Sequence, residues 1–249
     1  MNRLPSLRPP LGYLHRMEKL PLFSPEAVLQ GRSLLVIAPH PDDESLGVGG
    51  LLAAAARQGT SITVCFLTDG EASHVGSLTY PAVRLAQVRR QEALAALAAL
   101  GVAEGNAHFL GLGDTHLGEL AACQRDEICL RLAELTPSPA LVCVTADTDP
   151  HADHQAASRL ARSFAWPSGY TVMQYPVWTW CASPPQLPSG APHGVRIDIR
   201  PLMARKHAAI AAHRSQLGAV VDDAQQAFEI EPNLLRHFLG PTETLLWPP

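Results

Sequence analysis

Charge is what this chain has least of. Asp, Glu, Lys and Arg make up 17% of its 249 residues, against about 25% in an average globular protein. The little charge present nearly cancels, 19 Lys and Arg against 23 Asp and Glu, leaving −4 with neutral His. Recognition of phosphate backbones or anionic lipid wants a cationic face, so no nucleic-acid partner is expected. No apolar run approaches the 18 or more residues of a membrane span, so stable membrane insertion is not expected either. The first 22 residues intersperse Arg3, Arg8, Arg16, Glu18 and Lys19 with prolines and lack the apolar centre of a secretory signal. Cysteine is sparse, unpaired in spacing and odd in number: Cys65, Cys123, Cys129, Cys143 and Cys181 include no Cys-x-x-Cys. Free thiols inside apolar runs fit a reducing compartment, and a cytoplasmic location is the expectation.

What the chain does have is apolar side chains, 47% of the total. With low net charge this excludes a disordered chain, and the length fits one domain with a full core. The continuous apolar runs Leu34–Ala38, Ser61–Thr68 and Ala140–Ala146 read as strands buried on both faces. A shorter strand is expected at Ala107–Leu110. Further strands are expected at Tyr170–Trp180, near an edge because of Pro176, and at Val195–Ile199. Helices are expected over Leu46–Arg57, Pro81–Leu100 with Gly101 as its cap, Leu117–Leu135, His154–Phe164 and Pro201–Leu217. Strands alternating with helices predict an α/β Rossmann-like three-layer sandwich, a single domain with a mostly parallel sheet. Residues 1–32 read as an irregular N-terminal arm, and 218–249 as a C-terminal extension packed on the same domain.

Ligands of such sheets bind beyond the carboxyl ends of the strands, near a switch in strand order. Two strands end in clusters of metal-type donors. After Ala38 come Pro39-His40-Pro41-Asp42-Asp43-Glu44, and after Ala146 come Asp147-Thr148-Asp149-Pro150-His151-Ala152-Asp153-His154. Either run alone is ordinary polar loop chemistry. Together, on strands of the same polarity, they contain the donors of a mononuclear hydrolytic site. Such a site needs three ligands from His and carboxylate, a carboxylate base and a histidine for a developing oxyanion.

His40-Pro41-Asp42-Asp43-Glu44, followed by Leu46-Gly47-Val48-Gly49-Gly50 and later by His151-Ala152-Asp153-His154, resembles the PIG-L (LmbE-like) zinc-dependent de-N-acetylase family. Thr68-Asp69-Gly70, Arg89-x-x-Glu92, Gly113-Asp114, Lys206 and His213-Arg214-Ser215-Gln216 extend the likeness over roughly 33–217, which reads as the deacetylase domain. The resemblance implies His40, Asp43 and His154 as ligands of one Zn2+ per chain, with Fe2+ as the alternative ion in the cell. It implies Asp42 as the general base and then acid, and His151 as the oxyanion stabiliser with Asp153 orienting its ring. Glu44 falls behind the ligands or in the first helical turn, where its charge suits the dipole.

Other residues keep two readings each. Asp69 and His74 either touch substrate or serve as a turn-former and a solvated ring. Arg89 either reaches substrate or pairs with Glu92 along its helix. Asp114 either meets a sugar hydroxyl or forms a turn. Trp178 and Trp180, two apart on an expected strand, either stack on a sugar or pack. His213, Ser215 and Gln216 read as a helix-end hydrogen-bonding set. The expected reaction is removal of acetyl from an N-acetylglucosamine-type amino sugar or its conjugate, a small-molecule substrate, by a chain that is a monomer or a homo-oligomer. The alternatives are an amidase or esterase acting on another acylated metabolite, and a nucleotide-binding Rossmann module. Against the last stand the missing G-x-G-x-x-G spacing and three acidic residues where a pyrophosphate would sit.

Overall fold

The computed structural model describes residues 12–183 and 186–248. The three apolar runs become the strands β2 (Ser33–Ala38), β3 (Ile62–Thr68) and β6 (Ala140–Thr145), and β5 (Ala107–Leu112) and β7 (Tyr170–Tyr175) form where further strands are expected. With β1 (Leu22–Phe23), β8 (Gly194–Asp198) and β10 (Thr242–Leu246) they form an eight-stranded sheet, ordered β1-β8-β10-β7-β6-β2-β3-β5. Every pairing is parallel except those of β10, which runs against both β7 and β8. A two-residue ladder, β4 (His74–Val75) with β9 (Gln226–Ala227), stands apart.

Period-2 alternation along β2 divides the core. Leu34, Val36 and Ala38 join one cluster and Leu35 and Ile37 the other. The first face is covered by α2 (Pro25–Leu29), α3 (Asp43–Arg57), α4 (Ala82–Leu100), α7 (Met203–Ala212) and α8 (Pro232–Phe238). The second is covered by α5 (Ala122–Leu135) and α6 (Ala152–Ser163). The mostly parallel sheet between helical layers agrees with the expected sandwich. The chain steps from β2 outward through β3 to β5, then returns to place β6 on the other side of β2. The switch point therefore lies between the two strands that end in His40-Pro41-Asp42-Asp43 and in Asp149-Pro150-His151.

Several expectations are corrected. β7 lies inside the sheet between β6 and β10, and it stops at Tyr175, so Pro176 costs no ladder bond. Trp178 and Trp180 follow in a 3₁₀ turn, Trp178–Cys181, and so do not share a strand face. The expected 201–217 helix breaks at His213 into α7 and a 3₁₀ turn. The expected 117–135 helix is a 3₁₀ turn, Leu117–Glu119, followed by α5. Within the expected irregular arm, α1 (Tyr13–Met17), β1 and α2 are regular, and residues 1–11 lie outside those described.

The Gly47-Val48-Gly49-Gly50 run also receives its physical reason. A Cβ on Gly47 would lie 2.1 Å from the Tyr175 ring, and one on Gly50 2.5 Å from Ile199. These glycines let α3 sit against the sheet, a use unrelated to phosphates.

Candidate metal and active site

β2 delivers His40 and α3 begins at Asp43, so the connection between strand and helix is short. Asp42 closes it at φ +140°, a strained conformation for a side-chain-bearing residue. It is held there by its amide donating to Glu44 Oε2 (3.0 Å) and its carbonyl accepting from Ser45 and Leu46. Its carboxylate makes no cap to α3 and instead meets Arg89 Nη2 at 3.2 Å. Asp43 turns the other way. Its Oδ2 accepts from the His40 amide (3.0 Å) and lies 3.4 Å from His40 Nδ1, while Oδ1 lies 3.4 Å from His154 Nε2.

α6 begins just after His151 and places His154 in its first turn. Asp149 Oδ2 lies 2.8 Å from His154 Nδ1, and the same carboxylate accepts from the amides of Val177 and Thr179. The ring proton therefore sits on Nδ1. His154 Nε2 is left fully buried, without a hydrogen bond, facing Asp43. On His40 the geometry is reversed, since Nε2 contacts Asp114 (3.1 Å) and Asp153 (3.3 Å) and Nδ1 is the nitrogen on the Asp43 side.

Donor atoms of His40, Asp43 and His154 lie within 4.8 Å of one another, as do those of His40, His151 and Asp153. The second set is already satisfied, because Asp153 accepts from the amides of Thr115 (2.7 Å) and Leu117 (3.2 Å). The first set keeps a buried nitrogen without a hydrogen bond, and its N, O, N donors suit a divalent metal. Carboxylates behind the ligands' outer nitrogens complete the usual support of such a site.

Electrostatics separate the two adjacent aspartates. Burial pushes the Asp42 carboxyl up to about 6, with Arg89 opposing the rise and Asp43 adding to it. Burial would also raise Asp43, but the His154 and His40 rings outweigh it and hold the group near about 2. Burial, reinforced by the neighbouring His154 and His40 rings, pushes His151 down to about 4. Beside the three donors the site thus offers one carboxylate able to exchange a proton near neutrality and one neutral imidazole.

His40, Asp42, Asp43 and His151 form the floor of a cavity of about 440 Å³, with His154 fully buried against Asp43, a volume within the usual range for small-molecule sites. Asp114 and Arg89 line it. Arg89 makes no pair with Glu92, whose carboxylate accepts from the amide and hydroxyl of Ser215. Three expectations need correction. Asp153 turns its carboxylate to His40 and gives His151 Nδ1 only its backbone amide, 3.3 Å away. Asp69 is taken by a bidentate pair with Arg90, both contacts 2.7 Å, and does not line the cavity. His74 is buried in the β4–β9 ladder with its ring on Ser73, also off the cavity wall. Of the two tryptophans only Trp178 lines the cavity, and Trp180 stacks on His237 at 3.9 Å.

Asp149 carries no distinguishing signal in the sequence, although it stands in the same polar run as His151. Gln216, expected to serve a helix end, lines the cavity fully buried with Oε1 lacking a partner. Phe228, Ile230 and Leu234, from the tail with its weak sequence signal, build the far wall.

At 28% identity the chain matches a probable N-acetyl-alpha-D-glucosaminyl L-malate deacetylase 2 of Bacillus anthracis, over 87% of this chain and 91% of that one. A 1D-myo-inositol 2-acetamido-2-deoxy-alpha-D-glucopyranoside deacetylase of Nocardioides sp. is 42% identical over 77 residues, which are 28% of this chain and 26% of that protein. The chain thus spans only about a quarter of the length of some of the curated relatives it matches. A conserved protein of Thermus thermophilus superposes with TM-score 0.58 at 30% identity, covering 75% of this chain and 80% of that one. The N,N'-diacetylchitobiose deacetylase of Pyrococcus horikoshii shares the fold, with TM-score 0.64 at 21% identity over 91% and 81% of the two chains. Residues 35–165, which hold both donor clusters, match the family described as PIG-L: GlcNAc-PI de-N-acetylase, and the chain belongs to that family.

Proposed function

We propose that this chain is a zinc-dependent hydrolase that removes the acetyl group from an N-acetylglucosamine-type amino sugar or its conjugate, binding one zinc ion through His40, Asp43 and His154. The observation that carries the reading is the buried Nε2 of His154, without a hydrogen bond and 3.4 Å from the carboxylate of Asp43, which with Asp42 lines the floor of a cavity. The relatives are named for deacetylation of glucosaminyl conjugates, and the cavity walls carry Asp114 and Gln216, groups able to bond sugar hydroxyls.

When bound, a divalent ion supplies Lewis-acid polarisation of the acyl oxygen and acidifies water. The side chains of this protein do the rest. Asp42 accepts the proton of the attacking water and then returns it to the amine nitrogen as the C–N bond breaks. Arg89 holds that carboxylate in place through Nη2 and is itself anchored on the carbonyls of Gly70 (2.8 Å) and Pro41 (2.7 Å). His151, across the floor with its ring centroid 4.9 Å from that of His40, stabilises the charge gathering on the acyl oxygen.

The test is acetate release from N-acetylglucosaminides, N-acetyl amino acids and a simple acetate ester by the zinc-loaded chain, with zinc content measured per chain. Glucosaminides should lead in kcat/KM with about one zinc bound. A preference for the amino acid or the ester would make this an amidase or esterase using the same floor.

A further inference from the structure

Away from the floor the cavity changes character. Its outer wall is made by Val75, Trp178, Phe228, Ile230 and Leu234. Trp178 meets Phe228 edge-on, with centroids 5.5 Å apart and planes at 71°, a geometry that aromatic pairs favour. The wall is built to stay in place. The Phe228 amide donates to Ser73 O (2.9 Å), that of Ile230 to Gln216 O (3.0 Å), and the β4–β9 ladder ties Val75 to Gln226. Charge on the lining is one-sided. Asp42, Asp43 and Asp114 are there, and Arg89, the one lysine or arginine among the described lining residues, has both terminal nitrogens engaged by Gly70, Pro41 and Asp42. Gln216, with its unpartnered and buried Oε1, also lines the cavity. That acceptor suits a ring hydroxyl, and the apolar wall suits what the ring carries.

Resting on the deacetylase reading, we infer that the outer half of the cavity is a subsite for a neutral, apolar aglycone, aryl or short alkyl, on the amino sugar. A carboxylate-bearing aglycone would leave water for an apolar wall with no cation to meet it, so the subsite selects against it. Specificity then resides in Trp178 and Phe228, the second contributed by the C-terminal tail.

The experiment compares kcat/KM of the zinc-loaded chain for phenyl, methyl and malyl N-acetylglucosaminides. Burial of the ring should favour phenyl over methyl by about tenfold or more, with malyl no better than methyl. Phe228→Ala should collapse the phenyl-to-methyl ratio toward one. Calorimetry with phenyl glucosaminide, the deacetylated product, should show binding weakened about tenfold in the variant. Phe228→Leu, which keeps an apolar group there, should retain most of the preference if the alanine variant does not fold. Equal rates for phenyl and methyl, or a lead for malyl, would overturn the subsite while leaving a sugar deacetylase. Acetate release from N-acetyl amino acids but from none of the glycosides would remove the deacetylase reading and the subsite with it.

Discussion

Asp149 Oδ2 and His154 Nδ1 face each other at 2.8 Å in the fully buried interior. This contact decides which nitrogen of the ring is left for a metal. Asp149 is itself fixed by the amides of Val177 and Thr179, just past the end of β7, so the strand next to β6 also orients a ligand that it does not carry. Supporting carboxylates of this kind are worth about 10–100-fold in metal affinity. Asp149→Asn should weaken zinc binding by that factor in chelator competition, and His154→Ala should abolish most of it. Unchanged affinity in Asp149→Asn would detach Asp149 from the metal.

Asp42 and Asp43 are neighbours in sequence with opposite surroundings, and their substitutions should separate. Asp42→Asn keeps the shape but cannot take a proton, so turnover should fall about 10²–10⁴-fold with zinc retained. Asp43→Asn should lose zinc. His151→Ala should keep zinc and lose about 10²–10³ in kcat, as for a missing oxyanion donor. Metal analysis beside acetate release reads all three, and loss of metal in Asp42→Asn alone would mean that the two carboxylates exchange roles.

The donors are legible in the sequence because they are local, two short polar runs each directly after a buried strand. The strands are legible because burial on both faces leaves an uninterrupted apolar run. What escapes is long-range. Asp149 looks like any loop aspartate until the chain beyond β7 brings Val177 and Thr179 to it. β10 carries Glu243 and Thr244 in a buried strand, which hides its apolar pattern, and its place between β7 and β8 depends on partners far earlier in the chain. Pro176 reads as part of a strand because the apolar residues continue past it, whereas the backbone turns into a 3₁₀ segment there. Asp69 follows β3 and His74 opens β4, but Arg90 and Ser73 claim their polar atoms, a competition no single stretch of sequence displays.

Glu243 explains how that last strand belongs. α3 kinks at Val48 (φ −138°, ψ 22°), and the amides of Gly50 and Leu51 donate to Glu243 at 2.6 and 2.9 Å. Lys206 Nζ donates to Leu46 O (2.8 Å) and to Glu243 (2.7 Å), closing the set. Both side chains are about 1% exposed. Removing one partner of such a pair strands a buried charge, at a cost of about 3–5 kcal/mol. Glu243→Gln should lose stability on that scale in denaturant unfolding. Adding Lys206→Met to it should cost less than the sum of the two single changes, as coupling within one network requires. Additive losses would show that the pair is not a unit.

His237 lies against Trp180 with ring planes 34° apart, and burial, with Lys206 as a smaller influence, pushes its imidazole down to about 4. In the unfolded chain the ring should titrate near about 6.5. Between these values the unfolded chain binds a proton that the folded protein does not, so stability rises with pH across the window. The contribution is complete above about 6.5 and is lost progressively as the pH falls toward about 4. Other buried histidines titrate as well, so the measurement is a difference between two proteins. His237→Phe keeps a ring against Trp180 and cannot be protonated. Lowering the pH from about 7.5 to 5 should therefore cost the wild type more unfolding free energy than the variant, by on the order of 1 kcal/mol. Parallel losses in the two proteins would place the His237 ring in contact with water and remove it from the acid sensitivity of the fold.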